Sequence, residues 1–139
     1  MLNEFVRPTR FQWTDRQLEV INGLLRTLPP RLRTRCGTTR KVKSEVGRPT
    51  FAEMKRVDPS EAIRSAEILP LLPRYLEAVD VKGYGGTVLQ MLPHEIAGNP
   101  QNADAETSGV LETICDFEER LIALGDLQHD YALVVARKP

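Results

Sequence analysis

The sequence predicts an α/β chain, mostly helical, with two strands late in the chain. Three observations carry this. Leu18, Ile21, Leu24, Leu25 and Leu28 recur at helical spacing behind a Thr14–Gln17 capping box. Ala78 to Tyr84 alternates, with Val79 and Val81 on one face and Asp80 and Lys82 on the other. Tyr131 to Ala136 is an unbroken apolar run between polar flanks.

Taken in order, the first helix runs from about Asp15 to Leu28 and stops at Pro29-Pro30, which cannot continue it. Arg31 to Gly47 lacks sustained periodicity, so residues 31–48 read as a basic loop or poorly ordered segment. Three short helices are expected next. Thr50 and Glu53 form a second capping box, with helix through Val57. Asp58-Pro59-Ser60-Glu61 carries the signature of a helix start, an N-cap followed by proline at the first helical position. Ser65 precedes a helix from Ala66 to about Tyr75, which Pro70 tolerates in its first turn and Pro73 shortens or kinks. Ala78 to Tyr84 is then a strand ended by Gly85-Gly86. Val88 to Ile96 has helical spacing interrupted by Pro93, and Gly98-Asn99-Pro100 is a turn. Val110 to Leu124 is the longest periodic segment, with Gly125 as its C-terminal cap. Tyr131 to Ala136 closes the series.

Length and composition bound the rest. A chain of 139 residues fits one domain, and its 41% hydrophobic and 27% charged residues are ordinary for a globular fold. Nineteen basic residues balance nineteen acidic ones, so the total charge calls for neither nucleic acid nor an anionic membrane. The distribution is uneven: residues 1–70 hold fourteen Lys/Arg against eight Asp/Glu, a balance of +6, and residues 71–139 hold five against eleven, −6. The densest basic stretch contains Arg31, Arg33, Arg35, Arg40, Lys41, Lys43 and Arg48. No aromatic side chain interleaves with it to stack on bases, so it reads as a solvated loop partly facing the acidic half. Cys36 and Cys115 lack metal-ligand spacing and suit a reducing compartment. With no signal-like leader and no membrane-length apolar stretch, the expected location is cytoplasmic.

An unbroken apolar strand such as Tyr131–Ala136 is usually covered on both faces within a larger sheet. Two strands alone are marginal in water. The sequence therefore implies more sheet than it spells out.

The segments Pro8–Asp15 (PTRFQWTD), Val46–Pro49 (VGRP), Val57–Arg64 (VDPSEAIR), Glu67–Pro70 (EILP), Tyr84–Thr87 (YGGT) and Asp130–Pro139 resemble the C-terminal region of bacterial class I S-adenosylmethionine-dependent methyltransferases of types 11 and 12. The likeness spans nearly the whole chain; Arg7 stands where that string has glycine. The resemblance implies the C-terminal portion of a Rossmann-like fold. In it Ala78–Tyr84 is the sixth strand and Tyr131–Ala136 the antiparallel seventh, inserted beside the fifth, with Met1 just after the fifth. It implies S-adenosylmethionine as cofactor of the complete enzyme, a small-molecule or glycan acceptor, and a partner chain carrying the missing N-terminal half. The Gly83-x-Gly85-Gly86 cluster follows a strand but has no βαβ unit around it, so no residue here is assigned to cofactor binding and none to metal.

Within that resemblance, the segment after the fifth strand lies at the open end of the sheet. Arg10, Gln12 and Trp13 are the candidates for lining an acceptor pocket, with Trp13 as an apolar wall and Tyr84 reaching in from the glycine break. The competing reading is that Phe11 and Trp13 only anchor the following helix. His94 beside Glu95 is the candidate general base. His129-Asp130 reads as turn chemistry before the last strand. The rival from another class is a non-catalytic protein-interaction module, or a degraded remnant, using an exposed sheet edge.

Overall fold

The computed structural model describes residues 1–37, 40–98 and 105–138, apart from the side chain of Glu106. The chain is α/β and divides into two compact units. The first comprises Met1–Trp13, Arg48–Gly86 and His129–Pro139; the second comprises Thr14–Gly47 and Thr87–Gln128.

The first unit holds a three-stranded sheet of β1 (Leu2–Phe5), β2 (Glu77–Gly83) and β3 (Tyr131–Arg137), in the order β1-β3-β2. Both outer strands pair antiparallel with β3, so β1 and β2 run in the same direction. Leu2 lies opposite Val134 and Phe5 opposite Tyr131; on the other side Val81 faces Val134 and Gly83 faces Ala132. A bulge between Ala78 and Asp80 leaves Val79 outside the pairing. The expectation of two strands is corrected to three. Leu2–Phe5 is too short to show alternation, and only its distant partner β3 makes it a strand. Its presence also places Met1 ahead of that first strand, where the resemblance had set it just after one.

Alternate β3 residues Ala132 and Val134 are buried with Val6 and Leu72, and Leu2, Ile68, Leu69, Leu76 and Ala136 pack around them. The opposite face is thinner. Val135 there is 40% exposed. On the outer strand β2, Val79 in the bulge and Val81 on the Val134 face are more exposed still. Outside the sheet, α3 (Phe51–Val57) forms behind the expected capping box: Glu53 N–H donates to Thr50 Oγ1 at 3.2 Å and Thr50 N–H to Glu53 Oε2 at 2.8 Å. None of its residues is buried. The segment after Ser65 is broken as its prolines require, into a 3-10 turn, α4 (Ile68–Leu71) and a second 3-10 turn at Leu72–Arg74.

The helix expected from Asp58-Pro59 does not form. Asp58 Oδ1 instead accepts from the Ser60 N–H and hydroxyl at 2.8 and 2.7 Å, an Asx-type turn. The carbonyls of Asp58, Pro59 and Glu61, which a helix would hand to its own amides, go to the Arg10 guanidinium at 3.5, 2.8 and 3.1 Å. Ala62 sits at φ +47°, incompatible with continued helix.

The second unit is built on α1 (Asp15–Thr27), the short α2 (Pro30–Arg33) and α5 (Ala105–Ala123). The capping box of α1 is complete, with Gln17 N–H on Thr14 Oγ1 at 3.1 Å and Thr14 N–H on Gln17 Oε1 at 2.9 Å. Val20, Ile21, Leu25 and Leu28 share one core with Val46, Val88, Leu92, Ile96, Ile114, Leu121 and Leu127. Gly125, at φ +75°, ends α5 with its N–H on Ile122 O at 3.0 Å.

Val88 to Ile96 is a chain of turns rather than a helix, yet its spacing is used. Val88, Leu92 and Ile96 all reach the core. Buried Glu118 accepts from the N–H groups of Val88 and Leu89 at 2.6 and 2.9 Å. Lys43, only 3% exposed, donates its ammonium to the carbonyls of Met91, Leu92 and His94 at 2.8, 3.2 and 2.7 Å. Side chains from elsewhere thus cap the ends that Pro93 leaves open. The basic stretch, read as a solvated loop partly facing the acidic half, turns Leu32, Lys43 and Val46 inward and holds an isolated bridge between Thr34 and Val42. The expected turn at Gly98-Asn99-Pro100 lies outside the described residues beyond Gly98.

Candidate functional site

Because β1 and β2 run in the same direction, their carboxyl ends meet at one end of the sheet, beside the start of β3. In open α/β sheets that is the end outside which ligands bind. A row of aromatic rings collects there. Trp13 stacks on Phe11 at 5.4 Å, and Phe11 meets Phe5 edge-on at 4.8 Å. Phe5 meets Tyr131 at 5.4 Å, and Tyr131 lies 5.6 Å from Tyr84. Offset and edge-on contacts at such distances are those the ring quadrupoles favour. Trp13 is buried at one end and Tyr84 about half exposed at the other.

The sequence candidates separate on this frame. Arg10, Gln12, Trp13 and Tyr84 all belong to the first unit, whereas His94 belongs to the second. The Arg10 guanidinium holds the 58–61 loop through three carbonyls. Gln12 donates to the carbonyls of Arg10 and Pro49 at 3.1 and 2.9 Å. Trp13 contributes a ring wall, and its carbonyl accepts from Arg48 Nε. Its own indole N–H is buried and has no acceptor among the described residues. The Tyr84 hydroxyl donates to Asn3 Oδ1. His94 is exposed, and its backbone carbonyl accepts from the Lys43 ammonium.

Beside Phe5 lies a cleft of about 330 Å³, lined by Glu4, Phe5, the 60–65 loop and Ile68. One residue of its lining, Ala62, sits at φ +47°. Behind it the Arg10 N–H donates to Ala62 O at 2.7 Å, and Arg10 and Phe11 both have φ +53°. Non-glycine residues held in this region cost roughly 1–3 kcal/mol each and collect at functional sites more than elsewhere. Hydrogen bonds from Ser60 hold the Asp58 carboxyl below its ordinary range, so the loop keeps its anion to lower pH. Burial raises the Tyr131 hydroxyl, aided by Tyr84, Glu61 and Asp130 nearby, so that ring stays a neutral donor.

Sequence reasoning passed over Asn3 and His129. Asn3 gave no signal, since β1 itself was not legible. His129 was read as turn chemistry, yet its Nδ1 accepts the Gly85 N–H at 2.7 Å. The signal for it lay in Gly83-x-Gly85-Gly86. A Cβ on Gly83 would overlap the His129 ring, and one on Gly86 would overlap Tyr131. Among the described residues no group of three or more His, Cys, Asp or Glu side chains is arranged to hold a metal ion. No helix among them is long and apolar enough to cross a membrane. Set against family models, curated proteins and solved structures, the chain matches none.

Proposed function

We propose that the chain forms the C-terminal, acceptor-side part of a class I S-adenosylmethionine-dependent methyltransferase acting on a small molecule or glycan. The sheet order carries this reading. An antiparallel β3 between co-directional β1 and β2 is the arrangement expected of a fifth, seventh and sixth strand. The outer edge of β1 has no strand beside it among the described residues, and its backbone groups are the natural place for the sheet to continue. Methyl transfer is an in-line attack on a sulfonium methyl group, and the protein's part is mainly alignment. The aromatic row and the strained cleft at the carboxyl end of β1 would hold the acceptor there, with Trp13 and Phe11 as wall and Tyr84 at the mouth.

On this reading, isothermal titration of the purified chain with S-adenosylmethionine gives no heat of specific binding. Adding a separately produced glycine-rich half brings binding and methyl transfer. Micromolar affinity of this chain alone for the cofactor would remove the reading.

Exposed Val79 and Val81 on the outer strand β2 favour one rival, a module that binds a protein through its sheet. Under it, the mixture gains no methyl transfer, and substitutions on β2 abolish partner binding.

A further inference from the structure

We propose that His129 is a ligand-facing hydrogen-bond donor, seated by the glycine cluster so that Nε2–H is presented to an oxygen lone pair of a carboxylate, carbonyl or hydroxyl. The argument begins with the glycines. The 83–86 turn carries Gly83, Gly85 and Gly86, and nothing in the folding of β2 alone requires three of them. Gly85 and Gly86 have φ +86° and +82°, which side-chain-bearing residues adopt at a cost. Gly83 has no such backbone need; its missing Cβ makes room for the imidazole of His129. Together they form a seat for a ring.

The seat also sets the ring's protonation pattern. Gly85 N–H donates to His129 Nδ1 at 2.7 Å, so Nδ1 must offer its lone pair. In the uncharged ring the proton is therefore on Nε2, since one nitrogen donates and the other accepts. The same turn is closed by Gly85 O, which accepts from Asp130 N at 2.9 Å and from Tyr131 N at 3.3 Å. Gly85 thus fixes the imidazole through its N–H, and the backbone that follows His129 through its carbonyl. His129 is half-buried, and its Nε2 makes no hydrogen bond to another described residue. A donor immobilised on one side and unpartnered on the other is the arrangement by which neutral imidazoles polarise or orient an oxygen. The position is the carboxyl end of β2, against Gly83 and Gly85. An ammonium-bearing ligand has no lone pair to offer, so the site selects oxygen acceptors. None of this depends on methyl transfer.

The test uses the full chain labelled with nitrogen-15, at about two pH units above the ordinary imidazole value. Long-range proton–nitrogen correlations are expected to show a single Nε2–H tautomer for His129. His94, exposed in the same chain, is expected to show the averaged pattern of free imidazole. Gly83→Ala should convert His129 to the His94 pattern. Sodium acetate should move the His129 Nε2 resonance saturably, and methylammonium chloride at equal ionic strength should not. An averaged or Nδ1–H pattern for His129 in the native chain would overturn the seat. Equal responses to the two salts, or none to acetate, would overturn the ligand-facing role. The native chain decides both points even if Gly83→Ala fails to fold.

Discussion

The two units differ in the size of their apolar cores. In the helical unit, Lys43, Glu118, Gln17 and Thr87 are buried, and each meets a partner that needed one: three carbonyls, two amides, and a 2.7 Å bond between Gln17 Nε2 and Thr87 Oγ1. Its core draws on both of its chain segments. Unpartnered buried atoms and strained residues occur in both: Arg33 Nε, Gln90 Oε1, Arg40 and Glu95 in the helical unit, the Trp13 N–H, Arg10, Phe11 and Ala62 in the sheet unit. What separates the two is apolar cover: among the described residues eleven buried side chains form the helical core and four the sheet core, and valines of β2 and β3 face solvent.

The sharpest way to break the contrast is to remove matching apolar bulk from each unit. Ile21→Ala, at a residue with no exposed surface, is expected to destabilise by about 2–5 kcal/mol in a denaturant titration. Val135→Ala, 40% exposed on β3, is expected to fall within about 0.5 kcal/mol of the native chain. Equal losses would mean that the second face of the sheet is already covered.

A smaller effect comes from Lys43. Burial lowers its ammonium from 10.5 to about 8, with Glu95 opposing and Arg35 adding to the shift. Between those two values the unfolded chain holds more protons than the folded one, so stability from this residue rises as pH rises through that window. Below about pH 8 the lysine is charged in both states and its burial penalty is fully present. Comparing the native chain with Lys43→Met isolates this, since the raised Cys115 thiol and Tyr131 hydroxyl act in both chains and in the opposite direction. The native chain should gain on the variant between about pH 8 and 10.5. A constant difference would show that the ammonium is solvated.

The smallest pair concerns the two capping boxes. Thr14→Ala and Thr50→Ala each remove a cap worth about 1 kcal/mol. Helix α1 buries four residues and α3 none. The first variant should therefore lower the global melting temperature, whereas the second should only speed amide exchange within 51–57. A global loss from Thr50→Ala would give α3 a packing role its exposure does not show.

How much of this was legible depended on the range of the interactions. Both capping boxes and the Gly125 cap were readable because their partners lie within a few residues. The breaking of 65–75 was readable because proline acts locally. The Asp58-Pro59 helix failed because Arg10, about fifty residues away, takes the carbonyls the helix needed. Val88 to Ile96 kept its core spacing but lost its helix to Lys43 and Glu118, 48 and 30 residues from the groups they hold. Strand β1 could not be read at all, since four residues show no period. At the site, the sequence picked out Trp13 and Tyr84 but not Phe5 or Tyr131, and it set the glycine cluster aside; the hydrogen bonds of Arg10 and Gln12, read as ligand-facing, go to backbone carbonyls.

The sheet's central strand is the one made last, and this sets an order for synthesis. β1 touches β3 and not β2, so residues 2–5 are made about 125 positions before the β3 residues they pair with. Until then both outer strands travel as unpaired ribbon, a state prone to capture by other chains. A ribosome stalled before Tyr131 would release a polypeptide whose helical unit has all its segments and whose sheet has none of its hydrogen bonds.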